Sequence, residues 1–332
     1  EYVIAETEDL SGSVANLKLE GNIGTLKPGI KYQEGKIILT LGDTRGASSI
    51  IWTGTSATWD FANTESFILE GDESRTPEIF VAGDAVEFND DAPVYLVNIK
   101  ENLAPGAVYV DADTKAYQFY GTGALTSGSF TKAGKATVTI KNTNTYTGGN
   151  YLKGGTVIVS SLANSITPTG NLGALTSAAT KFTMENGAVL KPSAAVTNGS
   201  PIKMIGTDGG VIENANDFVQ QAAFSGTLLT KKGAGWLKTS ADNSSLSKLV
   251  VAAGTVDASA KAAAAVEVQG SSALTGSGFL AVPITVAKGA KAKLTTVNRA
   301  TSSSVLKGEG QITIYCATEK GSTYYATRSP MQ

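Results

Sequence analysis

The densest group of residues able to do acid–base or metal chemistry is the run GDAVEFNDD, which holds Asp84, Glu87, Asp90 and Asp91. Hard oxygen donors at this density suit calcium, and a pair of carboxylates can divide general-acid and general-base work in glycoside hydrolysis. The spacing tells against one shared site. Asp84 and Glu87 are three apart on a predicted strand, so their side chains leave opposite faces. Asp90 and Asp91 stand shortly before Pro93, as turn formers do. A solvated turn is the reading these residues favour, with a calcium site second and catalysis third.

Composition closes off other chemistry. There is no histidine, so neither a Ser-His-Asp triad nor a His-ligated zinc can be assembled from these 332 residues. Cys316 is the single cysteine, which excludes an intrachain disulfide and a thiolate metal site. In the alternating run QITIYCATE it reads as a small buried apolar residue rather than a reactive thiol. GTGALTSG and AGKAT both fall short of a phosphate-binding glycine loop. Arg45, Arg75, Arg299 and Arg328, the arginines a lyase would draw on for its base, are dispersed and nothing in the sequence groups them.

Sugar binding depends on exposed aromatic faces, and Trp52, Trp59 and Trp236 are the candidates for it. Trp52 and Trp59 flank TGTSAT, and the reading they favour is as plugs at the end of a coil or a corner of the core, while Trp236 is balanced between the two roles. Tyr117, Tyr120, Tyr324 and Tyr325 are expected at the surface or at strand edges. Lysine and arginine together number 27 against 29 acidic residues, interspersed, for a net charge of −2. No basic stripe exists to neutralise phosphates, which argues against nucleic acid as a partner. No apolar run approaches the ~18 residues that would cross a bilayer.

The elements that must position these residues come from glycine and from a repeat. Glycine numbers 37 and apolar residues make up 42%, a composition of short strands and tight turns around a packed core. The segment from Thr131 to Val157 realigns without a gap on Thr230 to Val256, matching Lys132 with Lys231, Gly134 with Gly233, Asn144 with Asn243 and Gly155 with Gly254. A constant offset of 99 residues across such a stretch marks one backbone path used twice. Inside it, glycines recur at intervals of roughly 20 residues, each between two short alternating runs, so the offset predicts about five coils. A coil that thin cannot shelter its own apolar residues, such as Val138 and Ile140 or Ile284 and Val286. Stacking is required, and a parallel β-solenoid follows. An antiparallel sandwich with glycine-rich hairpins is the competing architecture, disfavoured because a sandwich need not repeat a pattern in register.

With those residues in view, FTKAGKATVTIKNTNTYTGGNYLKGGTV and LTKKGAGWLKTSADNSSLSKLVVAAGTV resemble the autotransporter-associated β-strand repeat, also called the passenger-associated transport repeat. The first copy carries N-T-Y-T-G-G from Asn144 to Gly149. The second keeps K-x-G-x-G from Lys231 to Gly235 and then departs into ADNSSLSKL. Upstream, IWTGTSATWDFANTESF, FVAGDAVEFNDD and APGAVYVDADTKAYQFYGTGALTSG are similar to the module that commonly precedes these repeats, with Trp52 and Trp59 on its tryptophans. Trp236 stands where the repeat usually has a small or aliphatic residue. The likeness runs over roughly residues 50 to 260.

That resemblance implies an all-β, right-handed parallel β-helix on a secreted or surface-exposed bacterial protein, and it says little about activity. It divides the chain into a strand-rich segment or first coils at 1–49, a tryptophan-containing module at 50–126, and repeats from 127 to 332. The implied function is an adhesin or glycan- or protein-binding scaffold without catalysis, with host or environmental glycans and surface proteins as partners and no cofactor beyond calcium. A polysaccharide lyase or hydrolase on the same scaffold, and a spacer within a larger surface protein, are the alternatives. The start at Glu1, without Met or leader, is expected of a processed or internal piece.

Overall fold

Runs in which every second residue is apolar bury their inward side chains only by stacking on copies of themselves, and this chain does so as a parallel β-solenoid. The computed structural model describes residues 2–7, 26–43, 45–280, 282–297, 305–317 and 323–328. Coils of about 20 residues pile into about 11 turns.

Three parallel ladders run along the axis. The first climbs through Ser49–Trp52, Ala85–Phe88, Ala107–Asp111, Phe130–Ala133, Asn150–Leu152, Phe182–Met184 and Ile202–Met204 to the first half of Phe224–Lys232. The second passes through Thr58–Trp59, Leu96–Ile99, Gln118–Tyr120, Thr137–Ile140, Thr156–Val159, Ala188–Pro192 and Gly210–Glu213 into the second half of that long strand. It continues through Leu246–Val251, Val266–Val268, Ile284–Val286 and Leu306–Gly308. The third begins at Val196–Asn198 and rises through Phe218–Gln220, Trp236–Thr239, Gly254–Ala258, Ser271–Thr275 and Lys291–Val297 to Gln311–Ala317.

Inside the tube, identical positions of successive coils touch. Val138, Val157, Leu190, Ile212, Lys231, Val251, Val268 and Val286 form one vertical column of the second ladder. None is more than 1% exposed. Each aliphatic member gains about 1.5–3 kcal/mol from leaving water, and the same coil alone would gain almost none of it.

The repeat occupies space differently from the five whole coils its length predicts. Lys132 stands below Leu152, Met184, Met204 and Gly226 in the first ladder. Lys231 lies on the strand that carries Gly226, but in the second ladder. The offset therefore spans four rungs and one face, so the second copy is rotated by one face around the axis. The missing coil went into an insertion at 160–181, where a short hairpin pairs Thr169–Gly170 with Gly173–Ala174. Leu162, Ala163 and Leu172 of this insertion are buried, and Gly170 bridges Asn144 across the side of the tube that has no regular ladder there.

The open ends are partly closed by antiparallel strands. Phe67–Leu69 covers the free edge of Ser49–Trp52, and Thr323–Arg328 covers that of Gln311–Ala317, which blunts edges that would otherwise pair with another chain. The YYATR run supplies this second closure. Aromatic residues plug the lower end: Trp52 meets Phe67 edge-on at 5.3 Å, Trp59 meets Phe80 at 5.4 Å and Phe88 meets Phe119 at 4.9 Å.

Residues 2–43 hold no coil among those described. Tyr2–Glu6, Leu26–Gln33 and Lys36–Asp43 make a three-stranded antiparallel sheet with Lys36–Asp43 in the middle. The run GKIILTLGDT supplies that middle strand. Its two-residue turn, Glu34 and Gly35 at φ 51° and 74°, returns the chain at once and so enforces antiparallel pairing where a coil would need a longer path.

Candidate functional site

Alternation sends one half of each strand inward, and one of the charged candidates is spent there. Asp84 is fully buried. Its two oxygens accept from Arg45 Nη1 at 2.6 Å and Nη2 at 2.9 Å, and also from the backbone N–H groups of Ser48 and Val81. Arg45 also reaches Glu78 and the carbonyl of Ile79. Burial works against its charge, but Asp84 and Glu78 outweigh that and raise its pKa. A bidentate pair with every acceptor site filled fixes the entry of the first coil and leaves Arg45 no freedom to act as a base.

The rest of the acidic run does not join it. Glu87 faces outward, as its spacing from Asp84 predicts, and accepts from Asn89. Asp90 accepts from the backbone N–H of Asp113, Thr114 and Lys115 and from the Thr114 hydroxyl, tying its turn to the turn of the next coil. The Thr114 hydroxyl, then those N–H groups, hold its carboxyl well below the usual carboxylate range. Asp91 is exposed. Among the described residues, no three His, Cys, Asp or Glu gather around a common point.

Trp52 and Trp59 are both fully buried, and the indole N–H of Trp52 donates to the Val94 carbonyl at 2.8 Å. Neither ring offers a face to solvent. Tyr117, expected at the surface, is buried as well, because it shares inward parity with Phe119; its hydroxyl donates to the Asn89 carbonyl at 2.6 Å. Tyr120 is half-buried and Arg75 exposed. Arg299 and the side chains of Cys316, Tyr324, Tyr325 and Arg328 lie outside the described residues.

Two lysines that the sequence reading uses only as repeat markers prove to be interior. Lys132 and Lys231 are both 0% exposed. The ammonium of Lys231 donates to the carbonyls of Lys232, Gly233 and Ala253 at 2.8, 2.7 and 3.3 Å. That of Lys132 donates to the carbonyls of Ala133 and Gly134. Corner carbonyls that the sheet cannot satisfy are thereby gathered on one cation. The glycine one coil above completes the cage: a Cβ on Gly155 would sit 2.8 Å from Lys132 Nζ, and one on Gly254 2.9 Å from Lys231 Nζ. The signal was legible, since each lysine stands at inward parity two residues before a repeated glycine.

Asn144 and Asn243 likewise repeat one task. Each carboxamide oxygen accepts from a buried backbone N–H in the coil below, of Leu125 at 2.9 Å and of Phe224 at 2.7 Å.

The outer faces carry the remaining chemistry. Ion pairs link successive coils: Lys191 with Glu213 and Lys238 with Asp217, each at 2.6 Å, and Lys248 with Glu267 at 2.5 Å. On the third ladder Trp236 is 42% exposed, with Lys238 Nζ 5.3 Å from its ring centre. Directly above Trp236 come Thr255, Ala273, Lys293 and Thr313, and beside them Asp257, Thr275, Thr295 and Tyr315. Lys293 Nζ lies 4.5 Å from the ring centre of Tyr315. With rungs about 4.8 Å apart, two cation-flanked aromatic rings bracket a strip of small side chains roughly 19 Å long. A second feature, a shallow hollow of about 160 Å³ on the first ladder, has Glu70, Glu87 and Tyr109 on its lining and no lysine or arginine.

Fold and faces together define a β-helix repeat protein whose interior charges are structural and whose distinctive polar and aromatic groups lie on its flanks. Comparison with known proteins finds no matching family, no matching curated protein and no matching solved structure.

Proposed function

We propose that this chain is a non-catalytic scaffold of the autotransporter-associated repeat kind, displayed on the exterior of a bacterium, which binds glycan or surface-protein ligands along the third ladder around Trp236. One observation carries the reading. Trp236 occupies the position that Thr137 fills in the other copy of the repeat, and a large apolar ring there buries nothing of the core. It is held half open beside a flat strip of Thr and Ala, a surface on which the C–H face of a sugar can stack.

Cleavage is supported less well. A lyase groove needs carboxylates with a base within reach, and the Glu70–Glu87–Tyr109 hollow has the acids without a cation.

Glycan-array binding of the wild-type chain and of Trp236→Thr, which restores the residue of the other copy, tests the proposal. The expected outcome is loss of those bound glycans that carry no acidic sugar, with stability unchanged to within about 0.5 kcal/mol. A blank array for the wild type would favour a spacer instead, and release of reducing ends from any polysaccharide would favour an enzyme.

A further inference from the structure

A different face of the tube carries a hollow, where the second ladder meets the insertion. A groove of about 530 Å³ runs there across three rungs, lined by Thr139, Lys141, Ile158, Ser160 and Ser193 together with strand backbone. Its floor is Ile158, stacked directly on Thr139. The Ser160 hydroxyl donates to Asn171 at 3.3 Å and the Ser193 hydroxyl to the Val159 carbonyl at 3.1 Å, so both oxygens keep their acceptor lone pairs for an incoming hydroxyl.

Charge selects the occupant. Lys141 is exposed and has no ion-pair partner among the described residues, whereas Lys191, on the rung above Ile158, is already neutralised by Glu213. No Asp or Glu lines the groove. We propose that this groove holds an acidic glycan, a uronate-containing polysaccharide lying along the solenoid axis, with one uronate carboxylate on the Lys141 ammonium and sugar hydroxyls on Ser160 and Ser193. The rung repeat of about 4.8 Å is close to the rise of one pyranose in an extended 1,4-linked uronate chain, so successive sugars meet successive rungs. The apolar floor takes the C–H face of the ring, and the lack of a lining carboxylate makes this a binding site and not a cleavage site.

Affinity electrophoresis with polygalacturonate, and with the same polymer fully methyl-esterified as a neutral control, tests the assignment. The wild-type chain is expected to be retarded by the acid and not by the ester. Lys141→Glu, an exposed change that spares the core, should weaken retardation by about tenfold or more, the loss of one charge-assisted contact. Lys153→Glu, at the exposed corner between the first and second ladders, should bind as the wild type does, and so should Trp236→Thr, which separates this groove from the face around Trp236. Equal retardation by the methyl ester or by double-stranded DNA, or an equal loss in Lys153→Glu, would overturn the proposal. So would loss of binding in Trp236→Thr with Lys141→Glu unaffected.

Discussion

The segments at 131–157 and 230–256 share their corners and differ in their faces. In the first copy the strand holding Lys132 lies on the first ladder and the chain turns onto the second; in the second copy Lys231 lies on the second ladder and the chain turns onto the third. The corner is the same object in both. A lysine two residues before a positive-φ glycine folds its ammonium onto the corner carbonyls, with φ 64° at Gly134 and 78° at Gly233. The lesson is that the motif encodes a local bend, indifferent to which side of the tube it turns, and leaves the outward residues of its strands free to differ. That freedom is where Thr137 and Trp236 diverge.

If the corner is truly shared, breaking it should cost the same in both copies. A Cβ at Gly134 would stand 2.4 Å from the Ala112 carbonyl oxygen, and one at Gly233 2.4 Å from that of Asn214. Backbone cannot yield as a side chain can, and the positive φ adds strain. Gly134→Ala and Gly233→Ala should each lose on the order of 4 kcal/mol in urea unfolding. A cheap substitution in one copy only would end the equivalence.

The caged lysines sharpen the comparison through pH. Burial pushes the ammonium of Lys231 down to about 8 from 10.5. Burial does the same to Lys132, to about 8, against an opposing pull from Asp111, Asp113 and Asp90. Between pH 8 and 10.5 the unfolded chain holds protons that the folded chain has shed, so unfolding free energy rises with pH across that window and is flat, for these groups, below it. The gain per lysine is on the order of 3 kcal/mol. Stability curves of the wild type and of a Lys132→Met, Lys231→Met double variant should diverge over that window; parallel curves would mean that the ammonium groups are not enclosed.

The smallest difference is expected at the asparagines. Asn144 Nδ2 donates to the carbonyl of Asn171 in the insertion at 2.7 Å, whereas Asn243 Nδ2 stays within its own turn, on Thr239 and Ala241. Asn144→Ala should therefore cost about 1 kcal/mol more than Asn243→Ala, measured by thermal or denaturant unfolding.

Particular elements show what could be read in advance. Val138 with Ile140, and Ile284 with Val286, point inward as alternation requires, and the opposed directions of Asp84 and Glu87 follow from the same rule. How Trp52 and Trp59 are closed in, and what Arg45 meets, lay beyond it. Spacing says which residues share a face but not whether an insertion such as 60–84 folds back over them, and Asp84 meets Arg45 across 39 residues of such chain. The groove at Lys141 was illegible for a like reason, since its members come from three coils, with Ser160 at the start of the 160–181 insertion.

By itself the sequence determined the rung: its length, its inward half and its corners, because strand alternation and positive-φ glycines act within a few residues of one another. Only the tertiary structure decided which rung lies over which, how far the second copy is turned from the first, and which charges meet. Those follow from the stacking of whole coils, and an insertion in any one coil shifts every later position relative to those below.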